Sequence, residues 1–131
     1  QKGLLLSLAQ SLHRLIYYPG YAYENIPKLL DGIHLGVVPP LWEDNLPQVT
    51  FELLACRVPV LCSNRGGAQE FVRHPAFIFD PAKPGDFQDK LRTIRENPHL
   101  LTEFWQKARQ VRSLEQHFQE LTRVYACSDL R

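Results

Sequence analysis

Residues 33–70 read IHLGVVPPLWEDNLPQVTFELLACRVPVLCSNRGGAQE, and the change of hydrophobic period along this stretch decides the fold. Ile33 to Val38 is a short apolar run closed by Pro39-Pro40. A polar loop follows, and from about Asn45 to Pro47 the apolar spacing turns helical. Val58 to Cys62 is a second β-branched run, and it ends in Ser63-Asn64-Arg65-Gly66-Gly67, a cluster of turn formers that opens into another helical stretch. Two strands joined by a helix predict a parallel crossover. In such sheets ligands bind beyond the carboxyl ends of the strands, and both of those ends here carry polar, backbone-rich loops.

The rest of the chain extends this pattern. Leu4, Leu5, Leu8 and Leu12 lie on one stripe of a predicted packing helix over Gly3–Arg14. Leu15–Tyr18 is a short β-prone run closed by Pro19-Gly20, and a helix is expected from about Ile26 to Leu30. Pro75–Phe79 reads as a further strand. Lys83-Pro84-Gly85-Asp86 then signals a helix that runs to Asn97-Pro98. From Leu101 to Tyr125 apolar residues recur at threes and fours, which predicts one long C-terminal helix over 98–131 behind an α/β core over 1–97. The fold class expected is α/β: one domain with an open parallel sheet and helices on both faces, Rossmann-like in organisation.

Composition narrows the function. The 131 residues are 44% hydrophobic with a net charge of +1, and the basic residues alternate with acids, so no nucleic-acid footprint is expected. No apolar run approaches the roughly 18–20 residues of a transmembrane helix. Three cysteines without C-x-x-C spacing predict reduced thiols and a cytoplasmic protein. The five histidines form no i, i+4 pair and fit packing or surface roles, so no metal site is expected. An initial Gln and the absence of Met suggest a segment of a longer parent chain.

Within the central stretch, a helix beginning near Asn45–Pro47 presents the N–H groups of its first turn, and the positive end of its dipole, to an anion such as a phosphate. Pro47 suits that first turn because it has no N–H to lose. Asp44 then lies at or before the cap and Glu52 about two turns along. A plainer reading makes Asp44 or Asn45 an ordinary N-cap and Glu52 a solvated helix residue. Trp42 fits either the wall of a sugar site or simple packing.

Asp44, seven intervening residues and Glu52, then LLACRVPV over 53–60 and NRGGAQE over 64–70, together resemble the C-terminal, donor-binding domain of group 1 (family 4) retaining glycosyltransferases of the GT-B fold. That family reads E-x(7)-E, E-A-M-A-x-G-x-P-V and G-G-x-x-E in this order. Upstream, Tyr18-Pro19-Gly20-Tyr21 resembles its strand and glycine before the base. The resemblance implies a nucleotide-diphosphate sugar as donor substrate, no further cofactor, and no metal. It implies Glu52 on the ribose hydroxyls, Asp44 on the donor sugar, and backbone amides around Asn45, Leu46, Gln48 and Val49 on the diphosphate. Gly20 and Tyr21 match the segment lining the base, and Gly66 and Gly67 match the turn at the cleft floor, with Glu70 bracing it.

Three positions depart from the family. Asp44 is one methylene shorter than the usual Glu, with Glu43 beside it to take the role if the loop shifts by one. Pro47 and Gln48 replace glycine and leucine, removing one amide donor. Arg57 replaces a glycine at a helix C-terminus. The resemblance implies as partners an N-terminal GT-B domain of the parent and an acceptor glycan, lipid or protein, and it leaves peripheral membrane association of the parent open. The family's diphosphate-neutralising basic residues have no counterpart in this stretch, so the segment alone is expected to be catalytically silent. The alternative is a non-catalytic GT-B-like domain that binds a nucleotide or a protein.

Overall fold

The computed structural model describes residues 15–128. The helix expected over Gly3–Arg14 lies outside them. The chain divides into two units between Asp31 and Gly32. In the first, a 3₁₀ turn at Tyr23–Asn25 leads into the short helix α1, Ile26–Leu29, where Pro27 occupies the first turn. Leu15–Tyr18 is not a strand. β-branched and aromatic residues favour strands through packing on a pleated, half-buried surface, and Leu15, Ile16 and Tyr18 are exposed, without a ladder partner among the described residues.

In the second unit, β1 (Gly36–Val38), β2 (Val60–Ser63) and β3 (Ile78–Phe79) form an open parallel sheet in the order β1-β2-β3. Gly36 pairs with Val60 and Val38 with Cys62, while Cys62 and Ser63 pair with Ile78 and Phe79. Successive strand residues point to opposite faces, and all four residues of β2 are buried, so the centre of the sheet is covered on both sides. The connections are helical. α2 (Gln48–Ala55) links β1 to β2, and α3 (Ala68–Val72) with a 3₁₀ turn at Pro75–Phe77 links β2 to β3. α2 lies so close to β1 that a Cβ on Gly36 would meet Leu53 Cδ1 at 2.5 Å. The fold class is therefore the α/β arrangement expected.

α2 ends in a Schellman motif. Val58 N–H donates to the Leu53 carbonyl (2.9 Å) and Arg57 N–H to that of Leu54 (3.1 Å), with Arg57 left-handed at φ 61°. Arg thus holds the conformation for which glycine is the usual choice, and its guanidinium sits 5.3 Å from the centre of the Trp105 ring. Cys62, in the middle of the sheet, is a free thiol whose pKa burial pushes up to about 12, which makes it inert.

Two expected elements come out differently. The strand at Pro75–Phe79 is only its last two residues, because the His74 imidazole accepts a bond from Ala76 N–H (3.3 Å) and Pro75 begins a 3₁₀ turn. The long C-terminal helix is broken. α4 (Asp86–Glu96) is followed by α5 (His99–Lys107), a non-helical link at 108–113, and α6 (Leu114–Ser128). At the break Arg109 N–H donates to the Phe71 carbonyl (2.8 Å) and its guanidinium lies over the Phe71 ring, so a tertiary bond replaces the next helical one. The restart is a capping box. Gln116 N–H donates to Ser113 Oγ (3.2 Å) and Ser113 N–H to Gln116 Oε1 (3.0 Å).

The core centres on Phe77, in edge-to-face contact with Phe104 at 4.8 Å; Val60, Leu61, Val72 and Ile94 are also buried. At roughly 1.5–3 kcal/mol for each large apolar side chain buried, this cluster holds α5 to the sheet. No helix among the described residues is long and apolar enough to cross a membrane.

Candidate functional site

The carboxyl ends of β1 and β2 carry two loops, residues 39–47 and 64–67, and the structure locks them together. Ser63, the last residue of β2, donates its buried hydroxyl to the Pro40 carbonyl at 2.7 Å. Two residues further along, Arg65 reaches Glu43 (3.7 Å) and Asp80 (3.6 Å). Gly66 N–H donates to Glu43 Oε2 (2.7 Å) and Gly67 N–H to the Asp44 carbonyl (2.9 Å).

This approach explains the glycine pair. Gly66 has φ +71°, and a Cβ there would stand 1.8 Å from the Asp44 carbonyl oxygen; one on Gly67 would stand 2.0 Å from that of Asn45. Neither position has space for a side chain. The turn is braced by Gln69, whose amide donates to the Asn64 and Gly66 carbonyls (both 3.2 Å). Glu70, expected in that role, is exposed, and it bonds Gly67 only through its backbone N–H.

The lock fixes where α2 begins. Pro47 occupies the N-cap position and no side chain caps the helix, so neither Asp44 nor Asn45 is an N-cap. Gln48 and Val49, the exposed first residues of α2, have N–H groups that a helix cannot satisfy internally. Glu52, one turn further, is not solvated. It is 8% exposed, and its Oε1 accepts from Gln48 Nε2 at 3.0 Å.

Glu43, Asp44, Asn45, Leu46, Gly66 and Gly67 thus come together at one end of the sheet, with Gln48, Val49 and Glu52 on the helix that starts there. The Glu43 carboxylate is engaged by Gly66 and Arg65, whereas Asp44 holds the glycine turn through its backbone. Gly20 and Tyr21 belong to the other unit, in an irregular exposed segment, and among the described residues nothing lies within 4 Å of a Cβ built on Gly20. Sequence reading missed Arg65, Gln69 and Asp80, which carry no period or motif of their own. Arg65 and Asp80 lie in the turns just beyond β2 and β3, and Gln69 in the first turn of α3.

Thr50 Oγ1 on α2 and Asn64 Oδ1 in the glycine turn are buried without a hydrogen-bond partner among the described residues, at a cost of about 1–3 kcal/mol each. Beside the turn, Asp86 accepts a bond from Asp80 N–H (2.8 Å), which holds its carboxyl below the ordinary range and ties the 80–82 turn to α4.

An open parallel sheet with locked loops at its carboxyl end and a helix N-terminus among them is the arrangement at which α/β domains generally bind ligands. Comparison with known families specifies it: the model of the family described as "Glycosyl transferases group 1" matches residues 5–111. The chain belongs to the group 1 glycosyltransferases. No curated protein and no solved structure matches it.

Proposed function

We propose that this chain forms the donor-binding half of a glycosyltransferase that moves a sugar from a nucleotide-diphosphate sugar to an acceptor with retention of configuration. Glu52 carries the reading: a buried carboxylate on α2, one turn behind an uncapped helix N-terminus, in the loop system at the end of the sheet. Two hydroxyls of a ribose each donate one hydrogen bond, and a carboxylate accepts both. The Gln48 amide holds Glu52 in place at 3.0 Å.

The diphosphate lies against the amides of Gln48 and Val49, where the helix dipole stabilises negative charge. That charge grows as the glycosidic bond to the diphosphate breaks, so an amide array aimed at it stabilises the transition state more than the ground state. Asp44, in the loop preceding the helix, orients the hydroxyls of the transferred sugar. Glu43 is given the structural task of holding Gly66 and Arg65. The acceptor is bound by an N-terminal partner domain of the parent chain.

Calorimetric titration of the protein with UDP, GDP and ADP tests the reading. One of the three is expected to bind, and Glu52→Ala to weaken it by at least roughly tenfold, the worth of about 1.4 kcal/mol. Absence of binding for all three would overturn it. Binding without transfer, in a protein that carries the acceptor domain, would favour the non-catalytic alternative.

A further inference from the structure

α2 carries the chain from the locked loops to the opposite, amino end of the sheet, roughly 12 Å away at about 1.5 Å per residue. There Arg57 and Arg109, with Leu54, Trp105, Gln110 and Val111, line a depression of about 230 Å³. No acidic side chain lines it. Arg57 lies over the Trp105 ring, 5.3 Å from its centre, and Arg109 over the Phe71 ring at 5.2 Å.

A ring supplies no oxygen acceptor, and neither guanidinium donates a hydrogen bond or meets a carboxylate among the described residues. Two cations placed by rings, each with a full set of N–H donors, therefore share one depression without a counter-charge. The backbone N–H groups of Gln110 and Val111 also find no acceptor among the described residues. Both arginines follow helix C-termini, where the dipole favours a cation, but their side chains bond rings and not the terminal carbonyls. Arg57 keeps its place at φ 61°, where the family has glycine, so the feature belongs to this chain and not to the fold.

The donor set matches a phosphate monoester. Its three terminal oxygens carry about −1.5 to −2 charge and accept from two guanidinium forks at once, whereas one carboxylate fills a single fork. The depression is smaller than the roughly 300–1,000 Å³ of pockets that enclose whole ligands, so it takes the charged head and leaves the remainder outside. We propose that Arg57 and Arg109 form a second binding site, for a phosphate monoester, at the end of the sheet opposite the donor loops. It stands independently of the donor reading. Two sources share the chemistry: a small phosphorylated metabolite and a phosphorylated side chain.

The test follows the two indole N–H signals, one for each tryptophan, assigned by the loss of one in Trp42→Phe. The probes are inorganic phosphate, glycerol phosphate and a phosphoserine peptide, with acetate, glycerol and the unphosphorylated peptide as controls. At least one ester is expected to shift the Trp105 signal with a Kd of roughly 1 mM or tighter. Arg57→Gly relieves the left-handed residue and Arg109→Gln keeps the backbone N–H that bonds Phe71, so both variants fold. Each is expected to weaken ester binding at least roughly tenfold and to leave nucleoside diphosphate binding within about twofold, as Glu52→Ala leaves ester binding. Tighter binding of glycerol phosphate identifies a metabolite, tighter binding of the phosphopeptide a phosphorylated partner, and either supports the site. A Trp105 signal unmoved by every ester overturns the proposal even where UDP, GDP or ADP binds normally. So does a shift that survives both arginine substitutions. A shift that acetate reproduces, or that about 0.15 M chloride abolishes, marks an adventitious ion only and overturns it as well.

Discussion

Gly67→Ala is the most informative single substitution in this protein, because its cost is steric alone. Gly67 has an ordinary negative φ of −78°, so alanine loses nothing in backbone conformation there. Its Cβ, however, falls 2.0 Å from the Asn45 carbonyl oxygen, against about 3.4 Å for an ordinary contact. Either loop must retreat by roughly 1.4 Å, a displacement in the range where overpacking costs about 1–3 kcal/mol. That retreat also stretches the Gly67–Asp44 hydrogen bond, worth about 0.5–1.5 kcal/mol. The expected loss is therefore about 1.5–4.5 kcal/mol, a large share of the roughly 5–15 kcal/mol that stabilises a domain.

Two other glycines separate the causes. Gly85→Ala places a side chain at φ +84° with nothing within 4 Å, so it measures strain alone, about 1 kcal/mol. Gly66→Ala combines φ +71° with a contact at 1.8 Å and is expected to exceed both. Urea unfolding at constant slope gives the three differences directly. Gly67→Ala within about 0.5 kcal/mol of wild type would refute the claim that the two loops are locked through their glycines.

Arg57→Gly relieves a left-handed residue, about 1–2 kcal/mol, while losing a cation–π contact of about 0.5–1 kcal/mol; it should raise the unfolding midpoint, whereas Arg57→Ala should lower it, and a Gly variant less stable than the Ala variant would contradict the φ of 61°. Phe104→Ala is expected to cost about 3–5 kcal/mol by emptying the space against Phe77, read from the same urea curves. His74 is held neutral by burial, then by the Lys107 charge, against the opposing pull of Glu103, and its Nδ1 accepts from Ala76 N–H, which a protonated ring could not do. With the folded pKa below the ordinary 6.5, its contribution is whole above that pH and lost as pH falls through the folded value. Stability should then decline by up to about 1.4 kcal/mol per pH unit below 6.5, and His74→Asn should remove that decline, while an unchanged slope would count against the assignment.

The fold was legible wherever local pattern and tertiary structure agree. The β-branched run at 58–62 became the fully buried central strand at Val60–Ser63, and residues 64–67 became the turn their composition demands. Leu15–Tyr18 misled because strand propensity needs a partner strand to be realised. The C-terminal break was half visible: Ser113 and Gln116 spell a capping box, but the bond from Arg109 to Phe71 that stops α5 links residues 38 apart in the chain and leaves no local trace. At the site, the glycine turn and the start of α2 were readable from turn chemistry and helix period, whereas the burial of Glu52 was not, since its helical spacing alone fits a solvated residue. The partners of Glu43 were not, because Gly66 and Arg65 meet it only once the two loops are folded against each other.

The central claim is that Glu52 receives the hydroxyls of a ribose, and the direct measurement compares each nucleoside diphosphate with its 2′,3′-dideoxy form, in the wild-type protein and in Glu52→Ala. Removing the two hydroxyls from the ligand and the carboxylate from the protein deletes the same interaction, so the effects should not add. The account predicts at least roughly tenfold weaker binding of the dideoxy ligand to wild type and no discrimination by Glu52→Ala. Equal discrimination by both proteins, with the variant's unfolding curve showing it folded, would contradict it.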